Sequence, residues 1–527
     1  MAAMGLEMPA KPWDELKDRI ENFLLGLKRP VLTEPGREVL DLSASHYSLS
    51  TQYNKLLWHL WNEETNVVRQ ITEIRKETPG RMELRFQKFG KGPPGTLVLS
   101  ESRAAPEQMA RRSQRTRYAQ ALRRILGQLF PEWKVEELSV EPDHQHSVSG
   151  RYARAVLRRG RQTWAVIGSG EQEDASAADG ILTYGLIWLD WLRRREAERV
   201  VTGLRIFVAA NRAETVLRRV AWLDAEAARF EVFETGVTGD PGEEVRRCDP
   251  ADAGNLKTSL GPAAPLQRPP DHPELGPQLG TKLGTKAGTK PGPEWGARIQ
   301  SLSPDIQKQT RGDGFSYWAV RGLPVARETS RGPVFGIGRA ETPLTEDRFA
   351  EFAHLVRKLL QWRCADSPDR NHPFYRLWPE RWMQSEIVQQ MDKLGYELIP
   401  GAVYEQVPAL SGLERGIMDL LAIDARGRLV VVELKASESI HLPLQALDYW
   451  MRVHWHHQRG EFERERYFPE HLLNPSPPLL LLVSPALQIH PACETILRYF
   501  SKTIQVAQIG LNENWRERWQ VVFRSRG

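Results

Sequence analysis

Three ionisable side chains, Asp419, Glu433 and Lys435, stand inside two otherwise apolar runs, Gly416-Ile417-Met418-Asp419-Leu420-Leu421-Ala422-Ile423 and Leu429-Val430-Val431-Val432-Glu433-Leu434-Lys435. Charges in such surroundings are costly unless they pair or hold a metal. The runs flank Asp424-Ala425-Arg426-Gly427, which predicts a β-hairpin whose tight connection uses the positive φ open to Gly427. A period of two then sends Val430, Val432 and Leu434 to one face and Val431, Glu433 and Lys435 to the other. One chemistry suits the trio: Asp419 and Glu433 give hard oxygen ligands to Mg²⁺, and Lys435 orients water and offsets charge developing on a phosphate. The plainer reading is a Glu–Lys ion pair on an exposed sheet face.

The elements that must position these residues follow from periodicity. The second half reads as helix (382–394), strand (417–423), strand (429–436), helix (444–453), strand (479–483), helix (492–500) and strand (503–509). The first half repeats that order: helix (118–129), strands (152–157 and 163–168), helix (181–194), strand (204–209), helix (214–223) and strand (230–234). Glu214-Thr215-Val216-Leu217-Arg218 matches Glu494-Thr495-Ile496-Leu497-Arg498, and Trp191-Leu192-Arg193 matches Trp450-Met451-Arg452, which suggests an internal duplication. The alignment sets Arg154 where Asp419 stands, and Ile167 and Ser169 where Glu433 and Lys435 stand. That arrangement cannot hold Mg²⁺ in the same manner.

The second-half residues resemble a known family. Gly416-x-x-Asp419, a turn, and then Val432-Glu433-Leu434-Lys435 look like the metal-binding core of PD-(D/E)XK nucleases. Gln445-Ala446-Leu447-Asp448-Tyr449 resembles the Gln-x-x-x-Tyr motif of RecB-type and NucS-type members, and Glu386 matches their helical carboxylate. The resemblance covers about residues 380–510. It implies a restriction-endonuclease-like domain, a central mixed sheet flanked by helices. It further implies that Asp419, Glu433 and the Leu434 carbonyl bind Mg²⁺ or Mn²⁺, that Glu386 binds metal or water, and that Lys435 positions or activates the water. Gln445 and Tyr449 would brace the site or the DNA backbone.

The expected organisation is α/β with small β-rich additions. Residues 1–100 form an N-terminal helix and small sheet, with Lys88 and Lys91 as conceivable grips on nucleic acid, and 101–235 a basic α/β domain, the inactive nuclease-like copy. Residues 236–295 form a flexible Pro/Gly/Lys linker carrying three Gly-Thr-Lys repeats. Residues 296–370 are a β-hairpin and helix region, and 371–527 the nuclease-like domain. The apolar stripe Phe349, Phe352, Val356, Leu359 and Leu360 makes the 345–363 helix a packing element.

Composition narrows the function classes. The net charge is +5 over 527 residues, but residues 101–162 hold thirteen Lys/Arg against seven Asp/Glu. Arg111, Arg112, Arg115 and Arg154 are therefore candidate phosphate contacts. Cys248, Cys364 and Cys493 are too scattered for a disulfide framework or zinc site, which suits a reducing cytoplasm. The N-terminal residues resemble an amphipathic helix more than a signal peptide, and no apolar run reaches membrane-spanning length. His454, His456 and His457 read as surface or DNA-facing, and most of the seventeen Trp as core. The leading expectation is a metal-dependent nuclease cutting DNA, in repair or defence, with RNA open as a substrate. The alternative is a non-catalytic nucleic-acid-binding or scaffold protein that keeps the fold. A homodimer or partner subunits in a defence assembly also remain open, since no P-loop or methyltransferase signature makes the chain self-sufficient there.

Overall fold

The structure is a computed structural model. It describes the chain apart from residues 1–11, 29, 35–39, 43–45, 53–54, 62–65, 88–93, 102–105, 142, 144–148, 172, 174, 237–244, 252–255, 257, 264–294, 311–315, 330–331, 339, 412–413 and 527. The chain divides into two compact units. The first comprises Met1–Val220, Ala225–Asp252 and Asp369–Pro373, and the second Ala221–Asp224, Ala253–Pro368 and Phe374–Gly527. Each unit holds two sheets.

In the first unit, helix α1 (Pro12–Leu25) precedes a sheet of β1 (Pro30–Thr33), β2 (Leu40–Asp41), β3 (His46–Gln52), β4 (Lys55–Trp61), β5 (Asn66–Thr78), β6 (Arg81–Gln87) and β7 (Gly95–Glu101). All its pairs are antiparallel, in the order β2-β1-β7-β6-β5-β4-β3. Alternation in β6 buries Met82, Leu84 and Phe86 on one face, as expected of a half-covered sheet. Lys88 and Lys91 lie outside the described residues.

Next comes α2 (Pro106–Leu129), then β8 (Lys134–Ser139), β9 (Ala153–Arg159), β10 (Gln162–Gly168), α3 (Ala175–Arg195), β11 (Val200–Ala209), α4 (Glu214–Val220), β12 (Arg229–Thr235) and β13 (Val245–Cys248). The six strands pair in chain order. Only β10–β11 and β11–β12 are parallel.

In the second unit, α5 (Trp295–Gln300) leads into an antiparallel meander of β14 (Ile306–Thr310), β15 (Ser316–Val320), β16 (Leu323–Arg327), β17 (Val334–Ile337) and β18 (Ala340–Pro343). It packs with α6 (Phe349–Trp362), whose Phe352, Val356 and Leu359 are buried while Phe349 and Leu360 flank them. The expected hairpin and helix are thus a five-stranded sheet and helix.

After α7 (Pro373–Arg376) and α8 (Pro379–Val388) come β19 (Leu398–Ser411), β20 (Glu414–Asp424), β21 (Leu429–Leu434), α9 (Leu442–Gln458), α10 (Glu461–Arg464), β22 (Leu479–Pro485), α11 (Ala492–Leu497), β23 (Val506–Leu511) and β24 (Val521–Arg526). These strands also pair in chain order, with only β21–β22 and β22–β23 parallel. β22 reads Leu-Leu-Leu-Leu-Val-Ser-Pro and is buried throughout, as a central parallel strand covered on both faces must be. α8 packs on β19 and β21, and α9 packs on β21 and β22.

The architecture is therefore mixed α/β, with several sheets flanked by helices. The expected linker needs correction. β13 continues the first six-stranded sheet, Thr258 Oγ1 lies 3.0 Å from His456 Nε2, and the Ala263 N–H donates to the Glu465 carbonyl at 2.9 Å. Its Gly-Thr-Lys repeats fall outside the described residues.

Candidate active site

The hairpin between β20 and β21 closes as its residues predict. The Asp424 carboxylate accepts the Arg426 and Arg428 N–H groups at 2.8 and 2.9 Å, and Gly427 takes φ +75°. Leu420 then pairs with Val432, Leu421 with Val431 and Ala422 with Val430. Leu420, Ala422, Val430, Val432 and Leu434 enter the core shared with Trp382, Met383 and Ile387 of α8. Strand alternation turns Asp419, Glu433 and Lys435 to the opposite face, which α9 covers.

On that face the three groups meet. Asp419 Oδ2 accepts the Leu434 N–H at 2.9 Å, and Lys435 Nζ lies 3.4 Å from Glu433 Oε1. Glu433 is 1% exposed, and its Oε2 is a buried oxygen with no hydrogen-bond partner. The negative charge of Asp419 bears directly on Glu433. Burial pushes the Asp419 carboxyl up to about 6, against the opposing pull of the Leu434 N–H and Lys435. Burial, and then Asp419, raise Glu433 well above the usual carboxylate range, with Lys435 pulling the other way.

Gln445 and Tyr449 stand one turn apart on α9. Burial raises the Tyr449 hydroxyl, and the negative charges of Glu433 and Asp419 add to the effect. Tyr449 therefore lies near the two carboxylates.

Glu386 does not join them. Its carboxylate accepts the Trp382 indole N–H at 3.2 Å; burial raises its pKa, and its charged neighbours are Arg321 and Asp305. The helical carboxylate beside the site is Glu380, which accepts the Ala436 N–H at 3.4 Å and pushes the Asp419 pKa upward. The reason is where α8 begins. It starts at Pro379, so Glu380 lies in its first turn, whereas Glu386 is six residues further on, about 9 Å along the axis and roughly 240° around it. Pro379-Glu380 was a readable signal, since Pro favours the first helical position and acids the first turn.

The donor set is two carboxylates, one with an unpartnered buried oxygen, beside an amine. It suits a hard divalent cation, with the Leu434 carbonyl as a further oxygen donor. Among the described residues no three His, Cys, Asp or Glu side chains are grouped so that they could hold a metal ion, so the carboxylate donors here number two. No family model and no curated protein matches the chain.

The first six-stranded sheet reproduces this frame without its chemistry. Arg154 pairs with Ile167 across β9–β10, and the Ser169 N–H donates to the Phe207 carbonyl as the Lys435 N–H does to Val483. Gly168 pairs with Phe207 just as Leu434 pairs with Val483, so Ile167 and Ser169 hold the stations of Glu433 and Lys435. Arg154 is 5% exposed, donates to the Glu141 carbonyl and lies 5.6 Å over the Trp188 ring. It is a packed residue of its own domain, unlike the surface phosphate contact expected of it. Arg115 donates to Glu173 at 2.8 Å, and the side chains of Arg111 and Arg112 lie outside the described residues. The histidines after the Gln-x-x-x-Tyr motif are also internal. His456 bonds Glu461 and Thr258, His457 Nε2 meets the Asn474 carbonyl at 2.8 Å, and His454 is 8% exposed, which corrects their reading as surface groups.

Proposed function

We propose that the second unit hydrolyses phosphodiester bonds in nucleic acid, DNA foremost, using Mg²⁺ or Mn²⁺ at Asp419 and Glu433. One observation carries this reading: the buried Glu433 oxygen with no partner, set against a second carboxyl and beside Lys435. A protein that needed only an ion pair would not leave an orphaned carboxylate oxygen beside a second buried carboxyl in its interior. Asp419, Glu433 and the Leu434 carbonyl would hold the ion, with the Glu380 charge beside Asp419 adding to the negative field there. A bound divalent cation supplies Lewis-acid charge that screens the phosphate and makes water more acidic.

The chain's own residues do the rest. Lys435 is partly exposed at the rim, so its ammonium can hold the attacking water and the charge growing on the phosphate. The Leu434 N–H fixes the Asp419 carboxylate so that one oxygen faces the ion's place. Tyr449 stands on the α9 side, close enough to Glu433 and Asp419 to feel their charge. Incubation of the purified chain with labelled single-stranded, duplex, flapped and mismatched DNA and with RNA, in Mg²⁺, Mn²⁺ or chelator, tests the proposal. Cleavage should need the metal and fall at least a hundredfold in Asp419→Ala and Glu433→Ala while binding persists. No cutting by the wild type under any condition would leave a nucleic-acid-binding or scaffold role.

A further inference from the structure

We propose that Trp378 is a stacking platform for an unpaired nucleobase at the edge of this site, so that the substrate is single-stranded or locally unpaired where it is cut. The inference rests on the nuclease reading above and deepens it.

Among the described residues Trp378 is the only tryptophan in the exposed class, at 38%, while Trp382, Trp450, Trp515 and Trp519 are buried. Its backbone is left-handed, φ 45° and ψ 65°, a conformation that bulky L-residues rarely adopt and that persists only where surrounding structure enforces it.

The enforcement is visible. Arg363, wholly buried, donates to the carbonyls of Phe374 at 3.1 Å, Leu377 at 2.6 Å and Trp378 at 3.3 Å, and also to Arg321, while its guanidinium lies 4.9 Å over the Trp382 ring. A fixed cation thus pins the turn that pushes an indole outward. Burying that indole would have been the ordinary outcome for so large an apolar side chain.

Position gives the platform its use. Trp378 stands two residues before Glu380, the acid beside Asp419, so their Cα atoms are at most about 7 Å apart. The Arg381 guanidinium lies 4.6 Å over the Trp378 ring and places a positive charge where a strand's phosphates would pass. A rigid aromatic plane next to a cation is the arrangement that holds unpaired nucleotides. In a duplex the base faces are already covered by their neighbours, and an indole cannot reach them without unstacking.

The test measures binding by the full chain in Ca²⁺, using fluorescein-labelled 20-nucleotide DNA and RNA, each single-stranded and as a duplex. Trp378→Ala should weaken single-strand binding roughly tenfold, as the loss of one stacked base does, and leave duplex binding unchanged. Trp378→Phe should keep most of the affinity, and equal thermal midpoints would establish that both variants fold. 2-Aminopurine placed along the single strand should be quenched by wild type and not by Trp378→Ala. The nucleic acid whose affinity depends more on Trp378 is the preferred substrate. If Trp378→Ala binds single strands as wild type does, or weakens both forms equally, the platform is overturned and the nuclease reading stands. If the wild type binds none of the four nucleic acids, the nuclease reading itself falls.

Discussion

Asp419 and Glu433 give the second unit a pH dependence whose direction follows from their burial. An aspartate in the unfolded chain titrates near 4, whereas in the folded protein burial lifts Asp419 to about 6 and raises Glu433 as well. The folded state therefore binds these protons more tightly, so stability falls as pH rises from about 4 through about 6 and beyond. Thermal scans in chelator should show wild type losing stability between pH 5 and pH 8 relative to Asp419→Asn, which keeps an acceptor for the Leu434 N–H but carries no charge. At pH 8 the variant should melt about 5 °C higher, and Mg²⁺ should stabilise the wild type alone and close that gap. A wild-type-minus-variant difference that stays flat with pH would mean that the pair is not desolvated as described. At this scale the sequence was informative because strand alternation is strict: Glu433 and Lys435 could be placed on one face from spacing alone. Glu380 was missed because a helical residue's direction depends on where the helix starts, and reading it from Trp382 lost the first turn. Arg154 was misread because its burial depends on Glu141 and Trp188, neither of which any local pattern ties to it.

The central elements were legible and the edges were not, for a physical reason. β21, β22 and β23 are buried throughout and read as largely apolar runs, broken only by Glu433 in β21, Ser484 in β22 and Gln508 in β23. β19 is an edge strand that tolerates Pro400 and Pro408, and its register shifts between Leu398 and Val403, so its residues carry a turn's composition. β24 closes the opposite edge with Val521-Val522-Phe523-Arg524-Ser525-Arg526, too polar to announce itself. The hairpin that delivers Asp419 to Glu433 was the clearest local signal, and it depends on Gly427. At φ +75° a Cβ there would be strained and would meet the Leu472 carbonyl oxygen at 2.0 Å. Gly427→Ala should therefore destabilise the second unit by about 2–4 kcal/mol, measured as a lower denaturant midpoint. A loss below about 0.5 kcal/mol would show that the 427–472 contact can give way freely.

Across the whole molecule, two six-stranded sheets share strand order, pair orientations and the placement of helices between strands. That order was already readable in both halves because each alternates the two periodicities in the same sequence. What differs is the chemistry set on the common frame: Asp419, Glu433 and Lys435 in one half, Arg154, Ile167 and Ser169 in the other. A guanidinium and an alkyl group cannot take the place of two carboxylates, so the shared frame should bind a divalent ion in one half only. Calorimetric titration of Mn²⁺ into the full chain should give saturable binding that disappears entirely in Asp419→Ala, while Arg154→Ala leaves it unchanged. Saturable binding that survives in Asp419→Ala would place an ion elsewhere in the chain, and Mn²⁺ could then no longer be assigned to the β20–β21 hairpin alone.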